Sequence, residues 1–299
     1  MFSDNGYTLE LATSEATVGN HVPLQFRILD PVGTPLIRYT DTHDKQLHLI
    51  VVGLDLTGFQ HVHPELDENG NWHVSVDFDH AGDYRVFADF TPDGGDGITL
   101  SADVRVAGSY DPRSLPAATA ATTVDGYAVS LEGAAHAGQT SKLTLSVSRD
   151  GIPVTDLQPY LAAYGHLVAL RASDLAYLHV HPDGYPGDGV TPAGPAITFY
   201  ANMPSAEDYR LFLDFKHGGV VRTAEFTLTA DNATPTCVRT CEPRAPRALR
   251  PNAFRSSGKT GMGNRHAPIC SCSSEVRGDV HSDCSARQGK SKSIRTSHR

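Results

Sequence analysis

A chain of 299 residues with 39% hydrophobic and 20% charged side chains has the composition of an ordinary soluble protein and the length for about two domains, each with its own core. Its net charge of −9 conceals a division. From residue 232 onward 13 Lys and Arg stand against four Asp and Glu, whereas the preceding 231 residues hold 12 basic and 30 acidic side chains. That acidic body argues against a nucleic-acid binder, which needs clustered Lys and Arg to displace counterions, and no apolar run approaches the roughly 20 residues that cross a bilayer.

Met1-Phe2-Ser3-Asp4-Asn5 shows no basic and apolar leader, so a literal reading puts the product in the cytoplasm. The first clear element is an alternating strand in which Val22, Leu24, Phe26 and Ile28 interleave with Pro23, Gln25 and Arg27. His48-Leu49-Ile50-Val51-Val52 follows, then the reversal Gly53-Leu54-Asp55-Leu56-Thr57-Gly58, then His61-Val62-His63-Pro64. A turn between Asp55 and Leu56 pairs residues whose numbers sum to 111, which sets Ile50 against His61 and His48 against His63. Side chains alternate faces along a strand, so His48, His61 and His63 project to one side. Asn69-Gly70 and Asp93-Gly94-Gly95 mark further turns around the strand Asp83-Tyr84-Arg85-Val86-Phe87-Ala88-Asp89-Phe90.

After a linker over residues 109–121 the pattern returns. Leu143, Leu145 and Val147 alternate with Thr144 and Ser146. His166-Leu167-Val168-Ala169-Leu170 precedes His179-Val180-His181-Pro182 at the same thirteen-residue spacing, and Asp208-Tyr209-Arg210-Leu211-Phe212-Leu213-Asp214-Phe215 repeats the later strand. The matching register sums to 347, with Val168 against His179 and His166 against His181. Turn signals every eight to twelve residues, with no amphipathic helix, give an all-β chain of two tandem immunoglobulin-like or cupredoxin-like β-sandwiches over residues 5–108 and 122–231. Residues 232–299 carry no apolar period and read as a disordered basic tail. All five cysteines, Cys237, Cys241, Cys270, Cys272 and Cys284, lie there; with His281 they number enough for zinc, but in no standard spacing. A read-through extension accounts for the same composition.

Each repeat thus offers three imidazoles and no thiolate. Neutral imidazoles suit Cu(II), Zn(II) or Ni(II). A blue-copper site is excluded for want of a cysteine, and Met203, the only internal methionine of the tandem, cannot build a thioether site. Asp89 and Asp214 are second candidates, as a fourth ligand or as an acceptor for an imidazole N–H, and His43, aligned with Leu161, can enrich only the first site. His73, His80 and His217 read as surface residues, and Tyr84 and Tyr209 as core positions with a hydroxyl to satisfy. The alternative to metal is packing: Ile50, Val52 and Phe59 share the histidines' face, and duplication copies structural residues as readily as functional ones. His61, His63 and Glu68 imitate a cupin motif, but no later histidine completes it and the second copy has Asp183 and Gly184 where a glutamate is needed. No phosphate loop, dinucleotide fingerprint or nucleophile elbow is present, so the chain reads as a non-enzyme.

Residues Thr42 to Val52, Phe59 to Glu65, the two Asp-Tyr-Arg strands and Asp156-Leu157-Gln158-Pro159-Tyr160-Leu161 resemble those of a group of largely uncharacterised bacterial extracytoplasmic proteins described as heavy-metal-binding or secreted. The resemblance covers roughly residues 5–231. Such proteins usually begin with a signal or membrane anchor and end near the position of Ala230, so this sequence departs at both ends. It implies an extracytoplasmic location and the handling of copper or another heavy metal. The expected function is non-enzymatic buffering or delivery of a divalent metal, copper before zinc, by one triad per domain: His48, His61 and His63, and His166, His179 and His181. A metal transporter or chaperone is the implied partner. The rival expectation is an interaction module of Ig-like domains with packed histidines.

Overall fold

A computed structural model describes residues 3–178 and 180–232, all of them strand, turn or loop. The tail and His179 lie outside the described residues, and with them the expectations of a disordered tail and of zinc binding by its cysteines. Among the described residues no helix is long and apolar enough to cross a membrane.

Each repeat is a two-sheet sandwich. In the first, the strands Ser3–Asp4, Tyr7–Leu11, Gly19–Leu29, Asn71–Phe78 and Glu65–Leu66 lie side by side in that order. The facing sheet runs Glu15–Thr17, Ile98–Ala107, Gly82–Pro92, Leu47–Gly53 and Gln60–Val62. The second repeat copies this plan, with Gly165–Arg171 and Asp208–His217 in the places of Leu47–Gly53 and Gly82–Pro92. In both copies a short early strand joins the last strand in parallel, Glu15–Thr17 on Ile98–Ala107 and Ala135–His136 on Val220–Asp231, while the main ladders are antiparallel. Two sheets of this strand order make an immunoglobulin-like sandwich, one of the two variants expected from the alternation.

Alternation explains the cores. Leu24, Phe26 and Ile28 point inward with Leu47, Leu49, Val51, Trp72, Val86 and Phe90; Leu143, Leu145 and Val147 do the same with Leu167, Ala169, Phe199 and Phe215. Tyr84 and Tyr209 are buried, and each hydroxyl donates to a backbone carbonyl four residues upstream, that of His80 at 3.1 Å and of Ser205 at 3.0 Å. This tyrosine corner ties the loop before the strand to the strand itself.

The hairpins keep the expected registers, Leu49↔Val62, Ile50↔His61 and Val51↔Gln60 in the first copy, Ala169↔Leu178 and Leu170↔Tyr177 in the second. They end sooner than expected. Among the described residues no ladder pair joins His48 to His63 or His166 to His181. The chain instead switches sheets, so that Glu65–Leu66 joins Asn71–Phe78, and His181 pairs with Tyr200. Pro64 and Pro182 have no N–H for a continued ladder, which is where such a departure costs least.

Candidate metal centre

The two repeats belong to one compact unit spanning Met1–Ala233, and they meet through the outward faces of their histidine-bearing sheets. On the strand Leu47–Gly53, His48, Ile50 and Val52 point away from the sandwich core; on Gly165–Arg171 the equivalents are His166, Val168 and Leu170. Ile50, Val52, Leu56 and Phe87 pack against Val168, Leu170, Leu175 and Phe212 in a separate apolar cluster. Phe59 stacks on Phe212 with ring centroids 4.0 Å apart and planes 6° from parallel. The reciprocal pair, Phe87 with Tyr177, lies at 5.6 Å. The contacts are therefore related by an approximate two-fold exchange of the repeats.

The histidines form the polar end of this seam. His48 is 6% exposed, and its Nε2 lies 2.9 Å from the Thr42 carbonyl. A carbonyl only accepts, so that nitrogen carries the proton and Nδ1 of the neutral ring is bare. His61 Nδ1 donates to Asp214 Oδ2 of the second repeat at 2.8 Å, which turns Nε2 toward His48. His61 Nε2 is 3.0 Å and His63 Nε2 3.2 Å from His48 Nδ1. All three nitrogens fall within 4.8 Å of one another. Tetrahedral zinc at 2.0–2.1 Å from each nitrogen would separate them by about 3.3 Å, close to the two distances to His48 Nδ1.

Burial lowers His48 from 6.5 to about 4, against the raising effect of the Thr42 carbonyl. Burial and then the neighbouring His61 and His48 lower His63 to about 3. These two rings are consequently neutral at pH 7, the form a metal requires. His63 reaches a surface groove it shares with Gln25, Glu65, His73 and Ser75, which opens the triad to solvent on one side.

Of the second set, His166 is described. His166 (9% exposed) faces the first triad, with its ring centroid 6.4 Å from that of His48 and 6.2 Å from that of His61. Its Nε2 lies 3.1 Å from the carbonyl of Tyr160, the counterpart of Thr42, and 2.9 Å from that of Leu161, and burial lowers it to about 4. His179 lies outside the described residues, as does the side chain of His181. Among the described residues His48, His61 and His63 form one such group; the expected triad of His166, His179 and His181 falls in part outside the described residues, and His166 joins the first group because the two sheets face each other. His43 stands edge-on to His166 at 5.1 Å and to His48 at 6.0 Å. Asp89, the cross-strand neighbour of His48, accepts from Thr99 Oγ1 at 3.1 Å and lines a small cavity with His43, His48, His61 and His166. Asp214 is 2% exposed and also accepts from Thr223 Oγ1 at 2.6 Å.

Of the expected surface histidines, His73 is exposed beside Asp67, whereas His80 and His217 are half-buried; His217 bridges the Tyr127 hydroxyl and Asp156. Sequence reasoning missed the Thr42 and Leu161 carbonyls, which no side chain announces. It also missed the seam, although apolar residues repeated on a nominally outward face, Ile50 and Val52 with Val168 and Leu170, were a signal for it.

A family model described as a domain of unknown function, DUF8832, matches residues 2–108 and again 122–232. No curated protein matches the chain. Similar solved structures include the adhesin FdeC of Escherichia coli, 15% identical, covering 77% of this chain and 65% of that one with a TM-score of 0.27. InvD of Yersinia pseudotuberculosis is 12% identical over 81% of this chain and 61% of its own, TM-score 0.26. Domains 4 and 5 of the S-layer protein SbsC are 7% identical over 75% of this chain and 97% of theirs, TM-score 0.23. The chain therefore spans less than two thirds of the FdeC and InvD chains, and all three superpose loosely.

Proposed function

The chain belongs to the DUF8832 family, whose domain it carries twice, and we propose that it binds a divalent transition metal at His48, His61 and His63 without catalysing a reaction. One observation supports this above the rest. The Thr42 carbonyl takes the Nε2–H of His48, which leaves His48 Nδ1 bare, and His61 Nε2 at 3.0 Å and His63 Nε2 at 3.2 Å converge on that nitrogen while Asp214 holds the far side of His61. Lone pairs at that spacing repel unless a cation or a proton lies between them. Three nitrogen donors and no thiolate suit Cu(II) before Zn(II) in the general order of affinity. Buffering or delivery of copper outside the cytoplasm, with a transporter or chaperone as recipient, is the role in keeping with the sequence resemblance.

The competing reading is an interaction module in which a proton on His61 Nε2 bridges to His48. The apolar seam favours it, since Ile50, Val52, Phe87, Val168, Leu170 and Phe212 hold the repeats together without an ion. Calorimetric titration of the full chain with Cu(II) and with Zn(II) separates the two. One ion per chain, lost in His48→Ala, supports the metal site; no heat above buffer for either ion removes it.

A further inference from the structure

From the contact between His61 and Asp214 we infer that the ion-binding triad is a shared device of the two repeats, in which Asp214 of the second repeat is the positioning residue for His61 of the first and ion binding tightens the seam. This rests on the proposed ion at His48, His61 and His63. His61 is the pivot: Nε2 turns into the triad, 3.0 Å from His48 Nδ1, while Nδ1 donates across the seam to Asp214 Oδ2 at 2.8 Å. Both side chains are almost fully buried, 6% and 4% exposed. The strand ladder explains why Asp214 is available. It lies opposite His166 on one side and Thr223 on the other, so alternation aims it out of its own sandwich and into the seam. Thr223 Oγ1 donates to its other oxygen at 2.6 Å, which fixes the carboxylate plane.

A carboxylate behind a metal-binding imidazole holds the tautomer, orients the ring and raises its basicity, and removing such a partner typically costs about 10- to 100-fold in metal affinity. A buried carboxylate whose partners among the described residues are a hydroxyl and one imidazole N–H is in turn stabilised by a dication on the far side of that ring. Coupling of this kind is reciprocal. If docking of Asp214 raises metal affinity by a factor, metal binding must strengthen the docking by the same factor. The ion thus acts as a clasp between repeats even though its three ligands all lie on the first.

The test uses the full chain with Cu(II) and Zn(II) as probes. Asp214→Asn keeps the size and an acceptor oxygen but loses the charge, and Thr223→Val removes only the orienting hydroxyl. Asp214→Asn is expected to weaken binding about 10- to 100-fold at unchanged stoichiometry, with Thr223→Val between it and wild type. Hydrogen exchange supplies a readout that packing alone would not move. Adding metal to the wild type should slow exchange along the second-repeat strand Asp208–His217, which bears none of the triad, and should not do so in Asp214→Asn. Asp214→Asn affinity within twofold of wild type, or no metal-induced protection of that strand in the wild type, overturns the clasp while leaving the ion site standing. Should Asp214→Asn not fold, wild-type exchange and Thr223→Val decide. Absence of binding to the wild-type chain sinks the clasp together with the site on which it rests.

Discussion

Acidifying the metal-free protein tests whether the buried histidines are held neutral. Burial lowers His48 and His166 from 6.5 to about 4, so above pH 6.5 neither the folded nor the unfolded chain carries these protons and nothing is lost. As pH falls below 6.5 the unfolded chain takes up protons that the folded chain refuses, and stability declines until the folded rings titrate near pH 4. Each pKa unit is worth about 1.4 kcal/mol, which makes the loss about 3 kcal/mol for each of these two rings taken singly. Against the 5–15 kcal/mol typical of a domain that is a large fraction. His63 is more exposed, and solvent screens its share. Asp174, held down to about 2 by Arg171 and the Ala176 N–H, and Glu207, held below 4.5 by Ser173 and Ser205, lose their contributions below about pH 5, so the stretch from pH 6.5 to 5 isolates the imidazoles. Urea denaturation in the presence of a chelator, at half-unit steps from pH 7.5 to 4, measures the slope, and a His48→Phe/His166→Phe double variant should flatten it. A wild-type midpoint that stays level from 6.5 to 5, or a slope equally steep in the double variant, would refute the reasoning.

The seam gives a second prediction: Phe212, fully buried against Phe59, should cost about 3–5 kcal/mol on truncation to alanine, and a urea loss under 1 kcal/mol would mean the repeats do not pack this way. A Phe59→Leu/Phe212→Leu double-mutant cycle should return a coupling of about 0.5–1.5 kcal/mol; strict additivity would contradict the stacked pair. Tyr209→Phe should lose about 1 kcal/mol for its hydrogen bond to the Ser205 carbonyl, with affinity for Cu(II) unaltered, since this corner lies on the inward side of its strand.

Much of the architecture is legible in the residues. Leu24, Phe26 and Ile28 alternating with polar neighbours give half-buried strands because side chains on a pleated strand point alternately to its two faces. The spacing from His48 to His61, with a turn between, gives the Ile50↔His61 register, since a slip of one residue would expose the whole inward set. The meeting of His48, His61 and His63 follows from those local rules even though Pro64 takes His63 out of the ladder. What alternation cannot supply is the identity of whatever covers a face. Nothing local to Asp214 tells that its carboxylate serves His61 of the other repeat in addition to lying beside His166, because 153 residues separate the pair and only the docking of two sheets joins them. The amino-acid order by itself determined two tandem β-sandwiches and the meeting of His48, His61 and His63. The tertiary structure decided that the two histidine faces lie against each other, because burying Ile50, Val52, Val168, Leu170 and Phe212 in a common seam draws the histidines at its end into one cluster.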